Sequence, residues 1–262
     1  MVVQLTPDRP RYFGVVHLPP LPGTPYWLPA GWEASIADVA EQADTLRRGG
    51  LDGVLLQSGD RVYPTGDVAE PGRVVGLTRY AIAVREASPD DFAVGVQLLR
   101  HGVSASLATA RLTGLDFVRV DALIGATLTT HGWVEPDALT IMRRRRELDA
   151  EMITMICDID STHFRWAGGE LPIATLALKA MLVGADAVAV DRTGLDEQRS
   201  AIDEISKASP VTPIFVGGHL SSSTVRDRAS GTCGGFVRSC LIDESGRIEL
   251  GRVHRFVAAS RS

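Results

Sequence analysis

Two aspartates and a histidine stand close together in the segment MICDIDSTHF, where they could carry acid–base or metal chemistry. Asp158 and Asp160 are two residues apart, so an extended chain places both carboxylates on the same side. Two adjacent carboxylates raise the pKa of one of them unless a cation lies between them, and His163 follows three residues later. The spacing therefore indicates a general acid–base pair or a divalent-metal site, with no other cofactor evident. The structural alternative is that Asp158 ends a strand and Asp160 begins a turn.

Polar residues also follow the other apolar runs of the chain, and they extend the candidate site. For two arginines, the alternative to a ligand contact is a structural ion pair. Arg100 would pair with Asp121 inside a barrel, and Arg119 would form a structural ion pair of its own. We assign catalysis to His17, Asp121, Asp158 and His163, and substrate binding to Gln57, Gln97, Arg100, His101, Asp160 and Asp191. Within this set, Asp158 or His17 is expected to move a proton, while Gln97 and Asp121 orient hydroxyls.

The segments FVGGHLSSST and GGFVRS suggest anion binding. Glycine lets the backbone approach a ligand closely, and an arginine with a neighbouring hydroxyl adds charge and a donor. A tight turn is the structural alternative for the glycine pair. We assign phosphate binding to Gly217, Gly218, His219, Arg238 and Ser239.

The elements that must position these groups alternate along the chain. Short apolar runs bounded by Gly, Pro or Asp are typical of buried parallel strands, and they are YFGVVH, DGVLLQ, FAVGVQLL, DFVRVD, EMITMICD, DAVAV, PIFVGG and GGFVRS. Apolar residues at helical spacing predict helices over Ile36–Arg48, Val74–Glu86, Ser104–Leu112, Pro136–Leu148, Leu171–Leu182, Glu197–Ala208, Ser222–Ala229 and Val253–Ala259.

Eight such units are enough to close a (β/α)8 TIM barrel, and we expect residues 1–262 to form one barrel domain. The alternative is an open doubly wound sheet, which predicts a glycine-rich turn after the first strand; this chain has the proline-rich HLPPLPGTP there. The segment TLTTHGW reads as a long loop, with His131 either reaching over the rim or lying on the surface. Cys157 is expected to pack as a small hydrophobe.

The bulk composition excludes several classes of partner. With 27 Lys and Arg against 32 Asp and Glu, the formal net charge is −5, so the chain has no general nucleic-acid footprint. The run Arg143–Arg146 is expected to be a solvated helix surface, with its guanidinium groups spread around the helix rather than down one face. Three cysteines without a CxxC pair suit a reducing cytoplasm, and no apolar run approaches the length that spans a bilayer, so we predict no membrane insertion. We also expect a homo-oligomer.

The segment GVVHLPPLPGTPYW resembles the signature of the BtpA family, and the resemblance continues through GGLDGVLLQSGD, VGVQLLRHGVSASLATA, FVRVDALIGATLTTHGW, CDIDSTH, ADAVAVDRTG, FVGGHL and RVHRFV. It covers nearly the whole chain, and it implies a TIM barrel of the phosphate-binding type. The departures identify a divergent member. Gln57 and Ser58 replace an acidic residue and Asn, His101 replaces Asn, and Thr162-His163 replaces a Lys-His pair. Gly217-Gly218-His219 and Arg238-Ser239 replace Gly-Ser-Gly and Gly-Thr.

Together these features predict an enzyme that acts on a small phosphorylated or otherwise anionic, sugar-derived metabolite at the C-terminal face of the barrel. Lyase, isomerase and glycosyl-transfer chemistry remain open. Lys179 and Lys207 are the only lysines and both fall in predicted helices, which disfavours a Schiff-base aldolase. The alternatives are a non-catalytic assembly or stability factor and a module that binds a phosphorylated metabolite without turning it over.

Overall fold

Eight parallel strands form a closed barrel in the computed structural model, which describes residues 3–161, 164–169 and 171–261. The barrel strands are β1 (Arg11–His17), β2 (Gly53–Gln57), β3 (Ala93–Gln97), β4 (Phe117–Val120), β7 (Thr154–Asp160), β9 (Ala187–Val190), β10 (Ile214–Val216) and β11 (Gly234–Val237). The last strand pairs with the first, with Phe13 opposite Phe236, so no edge stays open. The predicted (β/α)8 barrel is confirmed, and the doubly wound alternative is wrong.

Helices cover the outside of the barrel, one after each barrel strand. They are α1 (Trp32–Arg48), α2 (Pro71–Glu86), α3 (Val103–Leu112), α4 (Ala138–Glu147), α5 (Ile173–Val183), α6 (Leu195–Ala208), α7 (Val225–Arg228) and α8 (Leu250–Arg261). The predicted helices all form, with shifted ends. Helix α2, for example, begins earlier than predicted because Pro71 fits the first helical turn.

The segment that the sequence predicts as a long loop is a small sheet on the rim, so that prediction is wrong. Strands β5 (Thr127–Thr129) and β6 (Gly132–Val134) form a hairpin, and β8 (Phe164–Trp166) pairs with β5 from the other side. Gly132 has φ 118°, a conformation that glycine adopts without strain and that allows the tight turn. At the tip, the His131 ring lies 4.9 Å from the Tyr63 ring, so the hairpin rests on the loop after β2.

The barrel interior is filled by aromatic rings below the rim. Phe13 stacks on Phe117 at 4.6 Å between ring centroids and on Phe215 at 5.5 Å. Phe236 closes the layer, and Val3 packs into the same apolar cluster. A second, larger apolar layer lies between strands and helices and includes the buried Cys157, as predicted. The interior is therefore closed beneath the rim. No helix in the described part of the chain is long and apolar enough to cross a membrane.

Candidate active site

A cavity of about 660 Å³ opens at the mouth of the barrel, where the parallel strands end. Its wall contains all but three of the residues that the sequence analysis assigns to the site. They are His17, Gln57, Gln97, Arg100, Asp121, Asp158, Asp191, Gly217, Gly218, His219, Arg238 and Ser239. The eight chain segments thus converge on one polar cavity.

The alternation of side chains along a strand explains why these residues face the cavity. Phe117 points into the barrel core, so Arg119 and then Asp121 point to the same side at higher levels. Phe236 and Arg238 repeat the pattern on β11. Six of the eight barrel strands therefore deliver an apolar group to the core and, two residues later, a polar group to the cavity; β3 and β10 have a glycine at one of these two positions.

Asp160 does not follow this pattern, although the sequence analysis places it on the same side as Asp158. The register between β7 and β9 shifts between Asp158 and Asp160, and such an irregularity turns the later side chain away. Asp160 instead forms an ion pair with Arg192 in a separate cleft on the outside of the barrel. Both carboxylates border a small neighbouring pocket, but only Asp158 lines the large cavity at the barrel mouth. Each carboxylate pairs with its own arginine, so the structure does not support the expectation that they act as a pair in that cavity.

His101 and His163 are the other two exceptions. His101 is 1% exposed, does not line the cavity, and has no hydrogen-bond partner among the described residues at either ring nitrogen. Burial lowers the pKa of its imidazole. Its assignment to substrate binding is therefore not supported by its position. His163 lies outside the described residues.

Arg119 and Asp158 form a two-pronged ion pair in the depth of the cavity. The guanidinium Nε donates to Oδ2 at 3.0 Å, and Nη2 donates to Oδ1 at 3.1 Å. The Arg119 guanidinium also lies over the Phe236 ring, 4.6 Å from its centroid. The ion pairing of Arg119 is the structural alternative expected from the sequence, whereas its place in the cavity wall is not predicted. The alternation with Phe117 and Asp121 is the signal that could have placed it there.

Asp121 is held by two neighbours on the β3 side of the mouth. Gln97 Nε2 donates to Oδ1 at 2.7 Å, and Arg100 Nη1 lies 3.5 Å from Oδ2, which is the pairing anticipated from sequence. Burial raises the pKa of Asp121 to about 6, against the opposing effect of Arg100. This carboxyl can therefore exchange a proton near neutral pH. Tyr63, which the sequence analysis does not single out, lies beside it with its ring centroid 5.7 Å from the Arg100 guanidinium.

Asp191 and His219 form a second polar pair on the opposite wall. His219 Nδ1 lies 2.7 Å from Asp191 Oδ1, and the Asp191 side chain is 3% exposed whereas the His219 side chain is 39% exposed. His219 has φ 57°, in the left-handed region, which turns its ring back towards Asp191. A buried carboxylate that holds an imidazole in one orientation is the arrangement used by general bases.

The glycine pair before His219 makes room for these groups. A Cβ atom at Gly217 would lie 2.9 Å from Asp191 Cβ and 3.3 Å from Arg119 Nη2. The Gly217 N–H donates to the Val190 carbonyl oxygen at 2.8 Å, so it is not available to a ligand. Gly217 therefore serves the close approach of Asp191 and Arg119, and the prediction that its backbone N–H binds phosphate is not supported.

Arg238 differs from the other arginines of the cavity because it has no carboxylate partner among the described residues. Its Nη2 donates weakly to the Gly246 carbonyl oxygen at 3.4 Å, and its Nε is buried without an acceptor there. Burial lowers the pKa of Arg238, which nevertheless stays charged at any physiological pH. Partial burial and the nearby Arg238 lower the pKa of His17 to about 4. His17 is therefore neutral at pH 7, beside a cation that has no carboxylate partner in the described part of the chain.

No cluster of three or more histidine, cysteine, aspartate or glutamate side chains within residues 3–161, 164–169 and 171–261 is arranged to hold a metal ion. The carboxylates of the cavity are instead each engaged by an arginine, an amide or an imidazole. The described site is thus built from fixed cations, buried carboxyls and two imidazoles.

A closed parallel barrel with a polar cavity at the carboxyl ends of its strands defines a TIM-barrel protein. The model of the BtpA family matches residues 10–262, and the chain belongs to the BtpA family. Photosystem I biogenesis protein BtpA of Synechocystis is 30% identical over 234 residues, which cover 87% of this chain and 79% of that protein. An uncharacterized mitochondrial protein of Caenorhabditis elegans is 28% identical over 230 residues, or 85% and 82% of the two chains.

Solved structures with the same fold share much less sequence. Tryptophan synthase of Mycobacterium tuberculosis superposes with a TM-score of 0.60 at 15% identity, covering 98% of this chain and 94% of that one. Phosphoribosyl anthranilate isomerase in complex with reduced 1-(o-carboxyphenylamino)-1-deoxyribulose 5-phosphate gives 0.57 at 13%, covering 96% and 98%. KGPDC of Streptococcus mutans gives 0.55 at 9%, also covering 96% and 98%. At such identities the likeness establishes the fold.

Proposed function

We propose that this protein is an enzyme that binds a small phosphorylated, sugar-derived metabolite in the cavity at the barrel mouth and transfers protons to and from it. The observation that carries the proposal is Arg238, a half-buried guanidinium without a carboxylate partner in the described part of the chain. A buried donor without an acceptor costs roughly 1–3 kcal/mol, and an oxyanion removes that cost.

The surroundings of Arg238 suit a phosphate. Ser239 supplies a hydroxyl next to the guanidinium, and Gly218 and His219 lie on the neighbouring strand end across the cavity wall. These groups belong to the seventh and eighth units of the barrel, where TIM barrels frequently bind phosphate. The fold neighbour that was solved with a deoxyribulose 5-phosphate compound is consistent with this ligand class.

Two groups on opposite walls are placed for proton transfer. His219 is oriented by Asp191, which leaves its Nε2 for a ligand, and it serves as the base. Asp121, with a pKa of about 6, serves as the acid on the other side. His17 stays neutral and donates or accepts a hydrogen bond. Asp158 is committed to Arg119 and orients that guanidinium in the floor of the cavity.

This arrangement suits an isomerase or a lyase, in which one group removes a proton and another returns it. Glycosyl transfer also stays open. A Schiff-base mechanism is disfavoured, because Lys179 lies on α5 and Lys207 on α6, and neither lines the cavity. The second candidate is a non-catalytic assembly factor, which the name of the Synechocystis relative, a photosystem I biogenesis protein, favours. A homo-oligomer remains a prediction.

Thermal unfolding with added ligand tests the proposal. A ligand that binds only the folded state raises the melting temperature. At a concentration of 100 times Kd, it adds about 2.7 kcal/mol to the free energy of unfolding. Inorganic phosphate, glycerol 3-phosphate and ribose 5-phosphate are each added to the wild type, to Arg238→Gln, and to Arg143→Gln as a surface control. We expect at least one probe to stabilise the wild type and the control but not Arg238→Gln. Stabilisation of none of the three proteins, or of all three equally, would contradict the proposal.

A further inference from the structure

A second place in the cavity wall has buried polar atoms without partners. Arg100 Nε and Gln97 Oε1 are buried and have no hydrogen-bond partner among the described residues. Gln97 is 2% exposed, and both residues line the cavity. Arg100 Nε is a donor on a cation and lacks an acceptor, whereas Gln97 Oε1 is an acceptor and lacks a donor.

Neither atom can find its partner by a simple side-chain rotation, because both residues are tied to Asp121. Gln97 Nε2 donates to Oδ1 at 2.7 Å and Arg100 Nη1 contacts Oδ2 at 3.5 Å. The Tyr63 ring packs against the Arg100 guanidinium from another side. By contrast, Arg119 uses two donors on Asp158 and lacks any such unsatisfied atom in the described structure.

This second place is separate from Arg238. Arg100 follows β3 and Arg238 follows β11, and β1 and β2 lie between those strands in the barrel. Arg238 influences the titration of His17, whereas Arg100 influences that of Asp121 and Asp158. The two guanidinium groups therefore stand at different places along the cavity wall, separated by two strands, and give a ligand two points of attachment.

We infer that the ligand is a phosphorylated sugar acid, with its phosphate at Arg238 and, at its other end, a carboxylate at Arg100 whose adjacent hydroxyl donates to Gln97 Oε1. This inference rests on the proposed function and narrows the ligand from phosphorylated metabolites in general. A carboxylate accepts from Arg100 Nε, and a neighbouring hydroxyl supplies the donor that Gln97 lacks. A neutral sugar phosphate satisfies Gln97 but leaves the cation of Arg100 with only its long contact to Asp121.

Asp121 does not prevent this mode of binding. Its pKa is already raised to about 6 by burial, so an incoming carboxylate promotes its protonation rather than meeting a permanently charged group. Binding of the acid is therefore coupled to proton uptake, and it strengthens as the pH falls towards 6.

The test compares matched probes that differ in the terminal carboxylate. Isothermal titration calorimetry at neutral pH measures the binding of 6-phosphogluconate against glucitol 6-phosphate, and of 3-phosphoglycerate against glycerol 3-phosphate. The proteins are the wild type, Arg100→Gln, Arg100→Lys, Arg238→Gln and the surface control Arg143→Gln. Arg100→Lys keeps the charge but removes the Nε donor, and unliganded melting temperatures identify any variant that fails to fold.

We expect the acid of at least one pair to bind the wild type at least about tenfold more tightly than its matched alcohol, the size of one charge-assisted hydrogen bond. Arg100→Gln should abolish that difference while the affinity for the alcohol changes by less than about threefold. Arg100→Lys should retain only part of the difference. Arg238→Gln should weaken both members of the pair.

Other results separate the failure of this inference from that of the proposed function. If the phosphorylated alcohols bind through Arg238 but neither acid binds more tightly, the second anion subsite does not exist and the proposed function stands. Equal weakening of acid and alcohol by Arg100→Gln also overturns the inference. If no phosphorylated probe binds the wild type, both the proposed function and this inference are wrong.

Discussion

Arg119 on β4 and Asp158 on β7 hold each other by two parallel hydrogen bonds of 3.0 and 3.1 Å across neighbouring barrel strands. Both side chains are almost completely removed from solvent, at 11% and 1% exposure. Each charge therefore depends on the other to offset the cost of its desolvation.

Replacing only one member of this pair should be strongly destabilising. We expect Arg119→Met to lower the free energy of unfolding by about 3–5 kcal/mol, because it leaves a buried carboxylate unpaired. Adding Asp158→Asn should restore part of the loss. Urea unfolding at neutral pH measures both effects. Arg79→Met is the control: its ion pair with Glu33 lies at the surface, with side-chain exposures of 49% and 75%, and we expect a loss of about 1 kcal/mol or less. Equal losses for the two methionine variants would contradict this account.

The raised pKa of Asp121 predicts a pH dependence of stability. Between pH 4 and pH 6 the unfolded carboxyl is ionised while the folded one, with a pKa of about 6, retains its proton. The folded state therefore binds more protons, and stability falls as the pH rises through this window, by up to about 3 kcal/mol from this group. Above pH 6 the contribution is constant.

Asp121→Asn removes this titration. The difference in unfolding free energy between the wild type and Asp121→Asn should therefore change with pH between 4 and 6 and then level off, as measured by urea unfolding at several pH values. Asp90→Asn, at an exposed surface position, is the control and should show a much smaller change. A pH-independent difference for Asp121→Asn would argue against the raised pKa.

The Asp191 contact predicts the tautomer of neutral His219. Because the carboxylate accepts from Nδ1, the proton should reside on Nδ1 and leave Nε2 as an acceptor facing the cavity. Nitrogen-15 chemical shifts of the imidazole report this directly. Asp191→Asn should shift the His219 signals and leave those of His254, exposed on α8, unchanged. A wild-type spectrum with the proton on Nε2 would contradict the proposed role of His219 as a base.

The close approach at Gly217 predicts that a single methyl group disturbs the cavity. Gly217→Ala would bring a Cβ within 2.9 Å of Asp191 and 3.3 Å of Arg119, so these groups must move. We expect a loss of about 1–3 kcal/mol in stability and weaker stabilisation by phosphorylated probes. Gly66→Ala is the matched control, because a Cβ there meets nothing within 4 Å. Thermal unfolding with and without ligand measures both effects, and identical behaviour of the two variants would refute the steric argument.

The fold and most of the cavity wall could be predicted because both depend on simple periodicity. Short apolar runs alternating with helical spacing define eight units, and a residue at or near the end of each run lines the barrel mouth. The family resemblance leads to the same fold, and the family match confirms it.

The remaining errors come from features that periodicity does not encode. The register shift between Asp158 and Asp160 breaks the alternation of side chains along β7, and the sequence CDID does not predict it. His101 follows a strand end, yet the chain turns it into the protein interior. The rim hairpin depends on pairing with β8, a contact distant in sequence. Arg119, in contrast, could have been placed correctly by counting two residues from Phe117.

The aromatic layer beneath the cavity leaves, within the described residues, one opening to the site, at the rim. The far end of the barrel is closed by the rings of Phe13, Phe117, Phe215 and Phe236. A ligand that contacts Arg119 must therefore enter and leave past the rim. A ligand that leaves and a ligand that enters therefore use the same opening. Under the proposed function, this shared opening favours product inhibition, and where two ligand molecules bind, the deeper one must enter first and leave last.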